Sequence, residues 1–406
     1  MAKLQLKIDG EDFTGLLVAG TPVIKEQLNA CCRTLEFSLM LSGIHQNLEG
    51  HEAELYYGGK RWFIGFIRKQ KDTNTGVTNV KVYDYLYLFS KRDDDYYFKN
   101  QTATQIIKTM AKKAGVKIYK LENTKVTIKY VFYKKGSPDK IAVDVLARTW
   151  KGGGDKFWFR YNPVHNGIQL HKRTVPTEIW VFKTGDNLIS ATRERSIEDM
   201  YNTVKVINRE TGKTATKVNA KNKALYGNTQ YYEEVSDKDT NLAKYAASKL
   251  KSLSKISTTL AMTGVNTDGA MGQFYVGDPI YVEEKNTGMV GGYWVRNVTH
   301  NFLSNNLIRI DFDLTKTEDI PDIQYKDATD KSKNSSCKGQ TTAAVHVRKG
   351  AGTKYASKGT FKKGTSLKIL GKSGDWYEVE GKINKKDVTG YSHKAYVKIT
   401  SGKVPS

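Results

Sequence analysis

Short runs in which apolar and polar residues alternate recur along most of the chain, and they constrain its fold more than any other feature. Residues 4–8 form the first such run, and residues 35–41 form a longer one. Alternation with a period of two is typical of half-buried strands, and Gly58-Gly59 between two later runs indicates a tight hairpin. Several short strands at this spacing predict a sandwich or barrel over residues 1–95.

A capped helix follows this region. An aromatic stretch at residues 80–89 is interpreted as a strand, and Asp93-Asp94-Asp95 as an acidic turn. Thr102 and Gln105 then have the spacing of a capping box, and Gly115 suits the left-handed position that ends many helices. The apolar positions between them follow one helical face: Ala103, Ile106, Ile107, Met110, Ala111 and Ala114. The pattern predicts a helix that covers a sheet.

The second half of the chain returns to short strands, with one helix predicted at residues 239–251. It also contains a weak echo of the first half. Residues 39–44 resemble residues 260–265, and residues 61–67 resemble residues 292–298. The echo predicts two copies of one barrel with an α/β part inserted between them. Chance similarity between β-strands is the alternative explanation.

These patterns predict a mainly β fold with an α/β insert, divided into five units. The units are a first barrel at residues 1–95, an α/β insert at 96–185, a second barrel with a helix at 186–320, a linker at 321–340 and a small β module at 341–406. The linker is inferred from its polar composition, which includes Pro, Gly, Ser and Lys.

The positive charge of the chain is concentrated at its C-terminal end. The 406 residues carry 65 Lys and Arg against 42 Asp and Glu, a formal net charge of +23. Residues 326–406 alone hold 18 Lys and Arg against 6 Asp and Glu. A basic excess favours nucleic acid, an anionic wall or membrane, or an acidic protein partner. Because the rest of the chain is only mildly basic, we expect no specific nucleic-acid binding.

No group of residues has a catalytic, metal-binding or cofactor-binding spacing. Cys31, Cys32 and Cys337 are too few for a disulfide framework and lack zinc spacing. The seven histidines lack the i, i+4 pattern of a helical zinc site. Gly212-Lys213-Thr214 resembles the end of a phosphate loop, but Ile207 stands where that motif needs glycine. We therefore expect a protein that is not an enzyme and holds no metal or cofactor.

The chain has no recognisable targeting segment. Its first residues, MAKLQLKIDGEDF, contain no apolar run of the signal-peptide type, and no 18-residue apolar stretch predicts a membrane span. The few cysteines fit synthesis in a reducing cytoplasm. A protein of this kind that acts outside the cell is expected to leave by lysis or as part of a particle.

The C-terminal module has the most specific local pattern. That pattern consists of Val345-His346-Val347-Arg348-Lys349-Gly350, Leu367-Lys368-Ile369-Leu370, Trp376-Tyr377-Glu378-Val379 and Gly390-Tyr391-Ser392. It resembles a bacterial SH3-type domain, a small barrel, over the whole module, although His346 replaces the usual asparagine. Family members often bind peptidoglycan in an aromatic groove, so the resemblance implies a groove formed by Tyr355, Trp376 and Tyr391. Alternatively, these aromatic residues form the barrel core, or the lysines of the module face anionic wall polymers.

Residues 1–320 resemble the hub protein of contractile phage tails, as found in PBSX-type defective prophages and R-type bacteriocins. The motifs that carry the resemblance are Tyr83-Asp84-Tyr85-Leu86, Phe98-Lys99-Asn100-Gln101-Thr102-Ala103-Thr104-Gln105-Ile106-Ile107, Gly185-Asp186-Asn187-Leu188-Ile189, Asp199-Met200-Tyr201-Asn202-Thr203-Val204, Gly277-Asp278-Pro279-Ile280 and Trp294-Val295-Arg296-Asn297-Val298-Thr299-His300. Their order and spacing together carry more weight than any single motif.

The resemblance implies a structural role. Hubs of this family are homotrimers at the centre of the baseplate, and each subunit carries two barrels similar to the tail-tube protein. The trimer thereby adapts the sixfold tube to the threefold spike. The implied partners are the tube protein, the spike protein and other baseplate proteins. The implied location is a virion or phage-tail-like particle, made in the host cytoplasm and released by lysis. A tail-associated peptidoglycan hydrolase and a free wall-binding protein are the alternatives.

Overall fold

The computed structural model is mainly β, with a mixed α/β insert, as the sequence predicts. It describes residues 3–28, 30–41, 46–235, 241–267, 270–317, 337–384, 386–402 and 404. The predicted linker at residues 321–340 lies outside the described residues except for residues 337–340.

Seven strands build the first part of a large sheet. Their bounds are β1 (Leu4–Ile8), β2 (Glu11–Asp12), β3 (Val23–Gln27), β4 (Thr34–Met40), β5 (Glu52–Tyr57), β6 (Lys60–Asp72) and β7 (Val77–Tyr83). The strand predicted at residues 80–89 is wrong beyond Tyr83. The Asp84 carboxylate accepts a hydrogen bond from the Leu86 amide (3.0 Å), and the Asp84 carbonyl oxygen accepts one from the Tyr87 amide (3.0 Å). These bonds turn the chain into a short helix.

The insert packs two long helices against a two-stranded ribbon around a core of its own. Its elements are α1 (Tyr87–Ser90), β8 (Asp94–Thr102), α2 (Ala103–Ala114), β9 (Ile118–Leu121), β10 (Thr127–Gly136), α3 (Pro138–Lys151), β11 (Phe157–Asn162) and β12 (Gly167–Lys172). The capping box of α2 is confirmed, because the Gln105 amide donates to the Thr102 hydroxyl (3.3 Å) and the Thr102 amide donates to the Gln105 side chain (2.8 Å). Gly115 ends the helix with φ 67°.

Replacing Thr102 with alanine is expected to lower the free energy of unfolding by about 1 kcal/mol, because the cap satisfies an amide that the helix leaves without a partner. Thr109→Ala is the matched control, since Thr109 lies in the same helix and its hydroxyl only donates to the Gln105 carbonyl oxygen (3.0 Å). Denaturant unfolding of both variants checks the prediction. Equal losses in the two variants would contradict it.

The second half contains strands of the large sheet and a small nested unit. The bounds are β13 (Val181–Lys183), β14 (Leu188–Ser196), β15 (Thr203–Asn208), β16 (Thr214–Val218), α4 (Ala220–Tyr226), β17 (Gln230–Val235), α5 (Leu242–Leu253), β18 (Ser257–Thr267), β19 (Pro279–Glu284), β20 (Met289–Ser304) and β21 (Leu307–Thr315). In the nested unit, α5 covers the sheet β16-β15-β17. The helix predicted at residues 239–251 is α5, whereas α4 escaped prediction because none of its residues is buried.

The two halves of the large sheet share one strand order. β3-β4-β7-β6-β5-β1 in the first half corresponds to β14-β18-β21-β20-β19-β13 in the second, and corresponding strands follow the same order along the chain. Neighbouring strands are antiparallel in both halves, except that β13 and β19 are parallel where β1 and β5 are antiparallel. The shared order supports the internal repeat that the sequence echo predicts.

A shared β-bulge shows which residues of the two halves correspond. The β6–β7 register shifts after Ile67, and the β20–β21 register shifts after Val295. In each half, a glycine amide donates to the carbonyl oxygen of the residue just before the bulge. Gly50 donates to Ile67 (2.9 Å), and Gly277 donates to Val295 (2.7 Å). The sequence echo therefore falls on corresponding strands, although its residue-by-residue match is out of register.

One sheet and one hydrophobic core span both halves. The sheet has 13 strands, and its main path ends at β14 and β2, which do not pair with each other in the described residues. The pairing shows no complete closure of either half into a barrel within the described residues, although an isolated bridge joins Thr184, after β13, to Leu188 at the start of β14. The two tube-like barrels that the resemblance implies stay a prediction. β13, at the end of the predicted insert, pairs with β19 of the second half.

The C-terminal module forms a seven-stranded sheet in the order β24-β23-β27-β26-β25-β22-β28. Its strands are β22 (Lys338–Thr341), β23 (Val345–Arg348), β24 (Ser357–Phe361), β25 (Ser366–Ser373), β26 (Trp376–Ile383), β27 (Lys386–His393) and β28 (Val397–Ser401). Cys337, within the predicted linker, is buried in the core of this module. The module therefore begins a few residues before the predicted boundary at residue 341.

Candidate functional site

A joint between β3 and β20 connects the two halves. The strands pair in antiparallel fashion from Val23 opposite Asn301 to Gln27 opposite Asn297. Beyond the ladder, the Leu28 amide donates to the Arg296 carbonyl oxygen (3.0 Å) and lies 3.1 Å from the Asn297 side-chain oxygen. The first half thus uses the edge of β3 to bind the outer edge of β20, and this joint is the first candidate site.

Five charged side chains gather beneath the joint. Glu26 and Arg33 come from the first half, Asp84 from its end, Arg160 from the insert and Asp278 from the second half. Arg33 Nε lies 3.4 Å from Glu26 Oε2, with both side chains largely buried. The Asp84 carboxylate accepts a hydrogen bond from the Arg33 amide (2.9 Å). The cluster therefore links three parts of the chain in one buried network, which we call the charged junction.

Aromatic rings alternate with guanidinium groups in the charged junction. The Arg33 and Arg160 guanidiniums lie 5.1 Å and 4.5 Å from the centre of the Tyr275 ring. Arg160 also lies 5.7 Å from the Trp158 ring, and Arg173 lies 3.4 Å from it. Such cation–π contacts favour a fixed geometry, so this ladder of contacts holds the insert against the sheet.

Burial dominates the protonation of the junction carboxyls. It raises the pKa of Glu26 and Asp278, although nearby guanidiniums oppose the shift. It also raises the pKa of Asp84 from 3.8 to about 7, against the hydrogen bonds from the Arg33 and Leu86 amides. The junction therefore contains a carboxyl that ionises near neutral pH.

Asp84 should make stability depend on pH between about 4 and 7. Its folded-state pKa lies above the unfolded value, so the folded protein holds the proton more tightly. The resulting stabilisation is complete below pH 3.8 and is lost as the pH rises through about 7. Asp84→Asn is expected to flatten this part of the stability profile, as measured by denaturant unfolding at a series of pH values. A slope unchanged by the substitution would contradict the assignment.

A cavity lined by two cysteines lies beside the junction. It measures about 90 Å³, and Cys31, Cys32 and Asp139 are among its lining residues. Burial raises the pKa of both thiols, which keeps them protonated and unreactive at neutral pH.

Burial also lowers the pKa of His300 to about 3, and its Nε2 lies 3.2 Å from the Phe274 amide. His300 is thus a neutral acceptor in the core.

Neither a metal centre nor a membrane helix is found in the part of the chain that the structure describes. There, no three His, Cys, Asp or Glu side chains are placed to hold a metal ion. No helix there has both the length and the apolar character that a membrane span needs.

Two of the three predicted groove residues, Trp376 and Tyr391, are neighbours on the C-terminal module. Trp376 stands opposite His393, with ring centres 5.2 Å apart, and Tyr391 stands opposite Glu378. Cross-strand partners share a face of the sheet, so Trp376 and Tyr391 are diagonal neighbours on one face. Both are partly exposed and lie outside the buried core of the module. The alternative that Trp376 belongs to that core is therefore not supported.

Arg348 connects the backbone of Tyr355, the third predicted groove residue, to the strand partner of Tyr391. Arg348 is the β23 partner of Tyr391, and its Nη1 donates to the Tyr355 carbonyl oxygen (2.9 Å). The Tyr355 side chain is 42% exposed, on the loop between β23 and β24. We call Tyr355, Trp376 and Tyr391 the aromatic face. Its contact with a ligand stays a prediction.

Comparison with known proteins gives two matches along the chain. The YQBQ-like family matches residues 23–315, and the bacterial SH3 domain matches residues 343–398. A relative from Bacillus subtilis (strain 168), the phage-like element PBSX protein XkdQ, is 26% identical over 260 residues. The match covers 63% of this chain and 78% of the relative.

Solved structures show the same fold. The 43 kDa tail protein of prophage MuSo2 from Shewanella oneidensis superposes with a TM-score of 0.58 at 15% identity, covering 79% of this chain and 100% of that one. A type VI secretion component from E. coli, described as structurally similar to bacteriophage T4 tail proteins, superposes with a TM-score of 0.51 at 11% identity, covering 98% and 99%. The chain thus shares its fold with phage tail proteins. It belongs to the YQBQ-like family and carries a bacterial SH3 domain at its C-terminal end.

Proposed function

We propose that the chain is the baseplate hub of a contractile phage tail or phage-tail-like particle, and that three copies form a homotrimer. The observation that carries the proposal is the internal repeat. The two halves share one strand order and are joined edge to edge by β3 and β20. Three chains would present six such units around one axis. The six units would match a sixfold tail tube, and the three chains would match a threefold spike.

Unpaired strand edges favour assembly with further copies. β14 corresponds to β3, and residues 69–72 of β6 correspond to the part of β20 that β3 binds. In the described residues, Leu188 at the start of β14 forms an isolated bridge with Thr184, but the rest of the outer edge of β14 and the outer edge of residues 69–72 have no strand partner. A chain with two different free edges can bind its neighbour head to tail, and such heterologous contacts close into rings.

The hub proposal is tested by sedimentation equilibrium of the purified chain and by electron microscopy of tail particles. We expect a mass of three chains and threefold density at the baseplate, in particles released by host lysis together with tube and spike proteins. A chain that stays monomeric at every concentration and is absent from particles would overturn the proposal.

For the SH3 domain we propose cell-wall binding through the aromatic face, supported by the exposure of Tyr355 and the partial exposure of Trp376 and Tyr391. The full chain is expected to sediment with purified peptidoglycan sacculi, and Trp376→Ala is expected to reduce the bound fraction severalfold. Tyr396→Ala is the control, because Tyr396 is an exposed aromatic residue outside the predicted groove. A chain that remains in the supernatant would favour docking within the baseplate instead.

The proposed role is structural and involves no catalysis. It is supported by the protonated thiols of Cys31 and Cys32 and by the neutral, buried ring of His300. Zymography on cell walls tests this part of the proposal. A cleared band at the mass of this chain would overturn it and favour a tail-associated hydrolase.

A further inference from the structure

A cationic pocket opens at the free end of the second half. It measures about 320 Å³, and Arg193, Arg296 and Lys316 line it together with Thr258 and Thr315. No Asp or Glu among the described residues lines it. None of the three cations forms an ion pair within the described part of the chain. Among the described residues, therefore, the three positive charges of the pocket have no counter-charge.

A lining residue of this pocket, Tyr293, carries a buried hydroxyl. Tyr293 is only 2% exposed, yet its hydroxyl has no hydrogen-bond partner in the part of the chain that the structure describes. The Lys316 ammonium lies 5.8 Å from the centre of the Tyr293 ring. Buried polar groups in native structures are normally hydrogen-bonded. A hydroxyl and three cations without partners among the described residues indicate that a further, acidic group belongs at this pocket.

The internal joint shows what covers the corresponding place in the first half. Leu35 and Leu260 correspond, because their strand partners occupy the same place relative to the shared bulge. Leu35 pairs with Val82, which lies opposite Ile67, and Leu260 pairs with Leu314, which lies opposite Val295. Ile24 is the β3 partner of Leu35, and Arg193 is the β14 partner of Leu260. Arg193 therefore occupies the position of Ile24, whose partner across the joint is His300 of β20.

The same correspondence identifies the missing partner in a second copy. Counted from the shared bulge, His300 of β20 corresponds to Asp72 of β6, and Thr299 corresponds to Lys71. If the internal joint is repeated between chains, Asp72 stands opposite Arg193 and Lys71 stands opposite Glu194. Each pair unites opposite charges across the two strands, with the two pairs on opposite faces of the sheet, and such cross-strand pairs are stabilising.

We propose that the end of β6 of a second copy pairs with β14 and completes the cationic pocket with its Asp72 carboxylate. This inference rests on the proposed hub and names the residues that join its subunits. Asp72 is held in place by the Thr78 hydroxyl, which donates to its carboxylate (2.7 Å), and Thr78 is buried on the core side of β7. The carboxylate therefore lies on the face that Arg193 shares with Leu260.

Glu49 supplies a second acidic group near the same contact. It directly precedes Gly50, which corresponds to Gly277, so Glu49 corresponds to Val276 of the internal joint. Val276 lies at the charged junction, where its amide is hydrogen-bonded to Glu26. In the repeated contact the position of Glu26 is taken by Arg195, which is the β14 partner of Thr258. The second copy thus brings acidic residues to a basic edge at two places.

Cysteine cross-linking tests the register. Lys71→Cys combined with Glu194→Cys places two thiols at directly opposed positions, within the Cα separation that a disulfide allows. Mild oxidation of the full-length double variant is expected to give covalent dimers and trimers on denaturing gels. Lys71→Cys combined with Ser190→Cys is the control, since Ser190 lies four residues along β14 and is out of register. Cross-linking that is equal in both variants would overturn the proposal.

Charge exchange tests the pocket itself. Arg193→Asp and Asp72→Arg are each expected to raise at least tenfold the concentration at which half of the chain is assembled, as measured by sedimentation equilibrium. The variant with both substitutions regains an opposite-charge pair and is expected to assemble within about threefold of the wild type. Arg309→Gln is the control, because Arg309 is paired with Asp311 and does not line the pocket.

The outcomes separate this inference from the hub itself. A wild-type trimer that tolerates Arg193→Asp and forms no cross-link would overturn the pairing of β6 with β14, while the hub would stand. A wild-type chain that is monomeric at every concentration and absent from tail particles would overturn the hub and the pairing together.

Discussion

Replacing Arg33 with methionine is expected to lower the free energy of unfolding by about 3–5 kcal/mol. Arg33 is only 4% exposed, and its guanidinium lies beside Glu26 and over the Tyr275 ring. Methionine fills a similar volume but removes the guanidinium beside the buried Glu26 carboxylate, which leaves Arg160 as the remaining nearby counter-charge. Part of the cost is relieved if Glu26 takes up a proton, since burial already raises its pKa. Denaturant unfolding of the full chain measures the loss.

Lys25→Met is the matched control for this result. Lys25 also pairs with a glutamate, Glu36, at 2.7 Å, but its side chain is 42% exposed. Because exposed ion pairs contribute little, we expect a loss below about 1 kcal/mol. Glu26→Gln in the Arg33→Met background should recover part of the stability by removing the buried carboxylate charge. Equal losses in Arg33→Met and Lys25→Met would show that the charged junction does not hold the parts together.

Replacing Gly277 with alanine is expected to cost about 3–5 kcal/mol, from backbone strain and steric overlap together. Gly277 has φ +85°, which L-residues rarely adopt, and a methyl group there would lie 1.4 Å from the Trp158 ring. The ring cannot easily retreat, because the Arg173 guanidinium lies 3.4 Å from its centre. The insert would have to move away from the second half. Thermal unfolding of the full chain measures the effect.

Gly185→Ala isolates the steric contribution. Gly185 has φ +86°, nearly the same as Gly277, but nothing lies within 4 Å of the added methyl group. We therefore expect only the strain cost of about 1–2 kcal/mol. Trp158→Ala should remove the overlap. Gly277→Ala is therefore expected to cost less unfolding free energy in the Trp158→Ala background than in the wild type. If the two glycine variants lose the same stability, Trp158 does not hold the insert at this place.

Local features of the fold were predictable because their causes are local. The capping box of Thr102 and Gln105, the left-handed Gly115 and the alternation in β4 and β5 each depend on a few neighbouring residues. The end of β7 at Tyr83 was not predictable in the same way. The aromatic stretch continues past it, and the turn depends on the hydrogen bonds that the Asp84 side chain makes after folding.

The long-range features could not be predicted from the sequence, because no local pattern of residues distinguishes them. Arg33 and Glu26 have the appearance of ordinary surface charges, and only the pairing of β3 with β20 buries them beneath a loop from the second half. The aromatic residues Trp376 and Tyr391 were predicted by resemblance, and the structure places them on one face. The cationic pocket has no sequence motif, since Arg193, Arg296 and Lys316 converge from three strands or strand ends.

The long reach of the β3–β20 joint has a consequence for how the chain folds during synthesis. Leu28 and Asn297 are in contact although 269 residues separate them. At ribosomal rates of about 5–20 residues per second, β3 leaves the ribosome roughly 15–55 s before its partner. Through that interval β3 can pair with β4 but keeps its other edge open. Polypeptides whose synthesis stops before β20 therefore carry an exposed strand edge, which makes premature termination products prone to aggregate and dependent on chaperones.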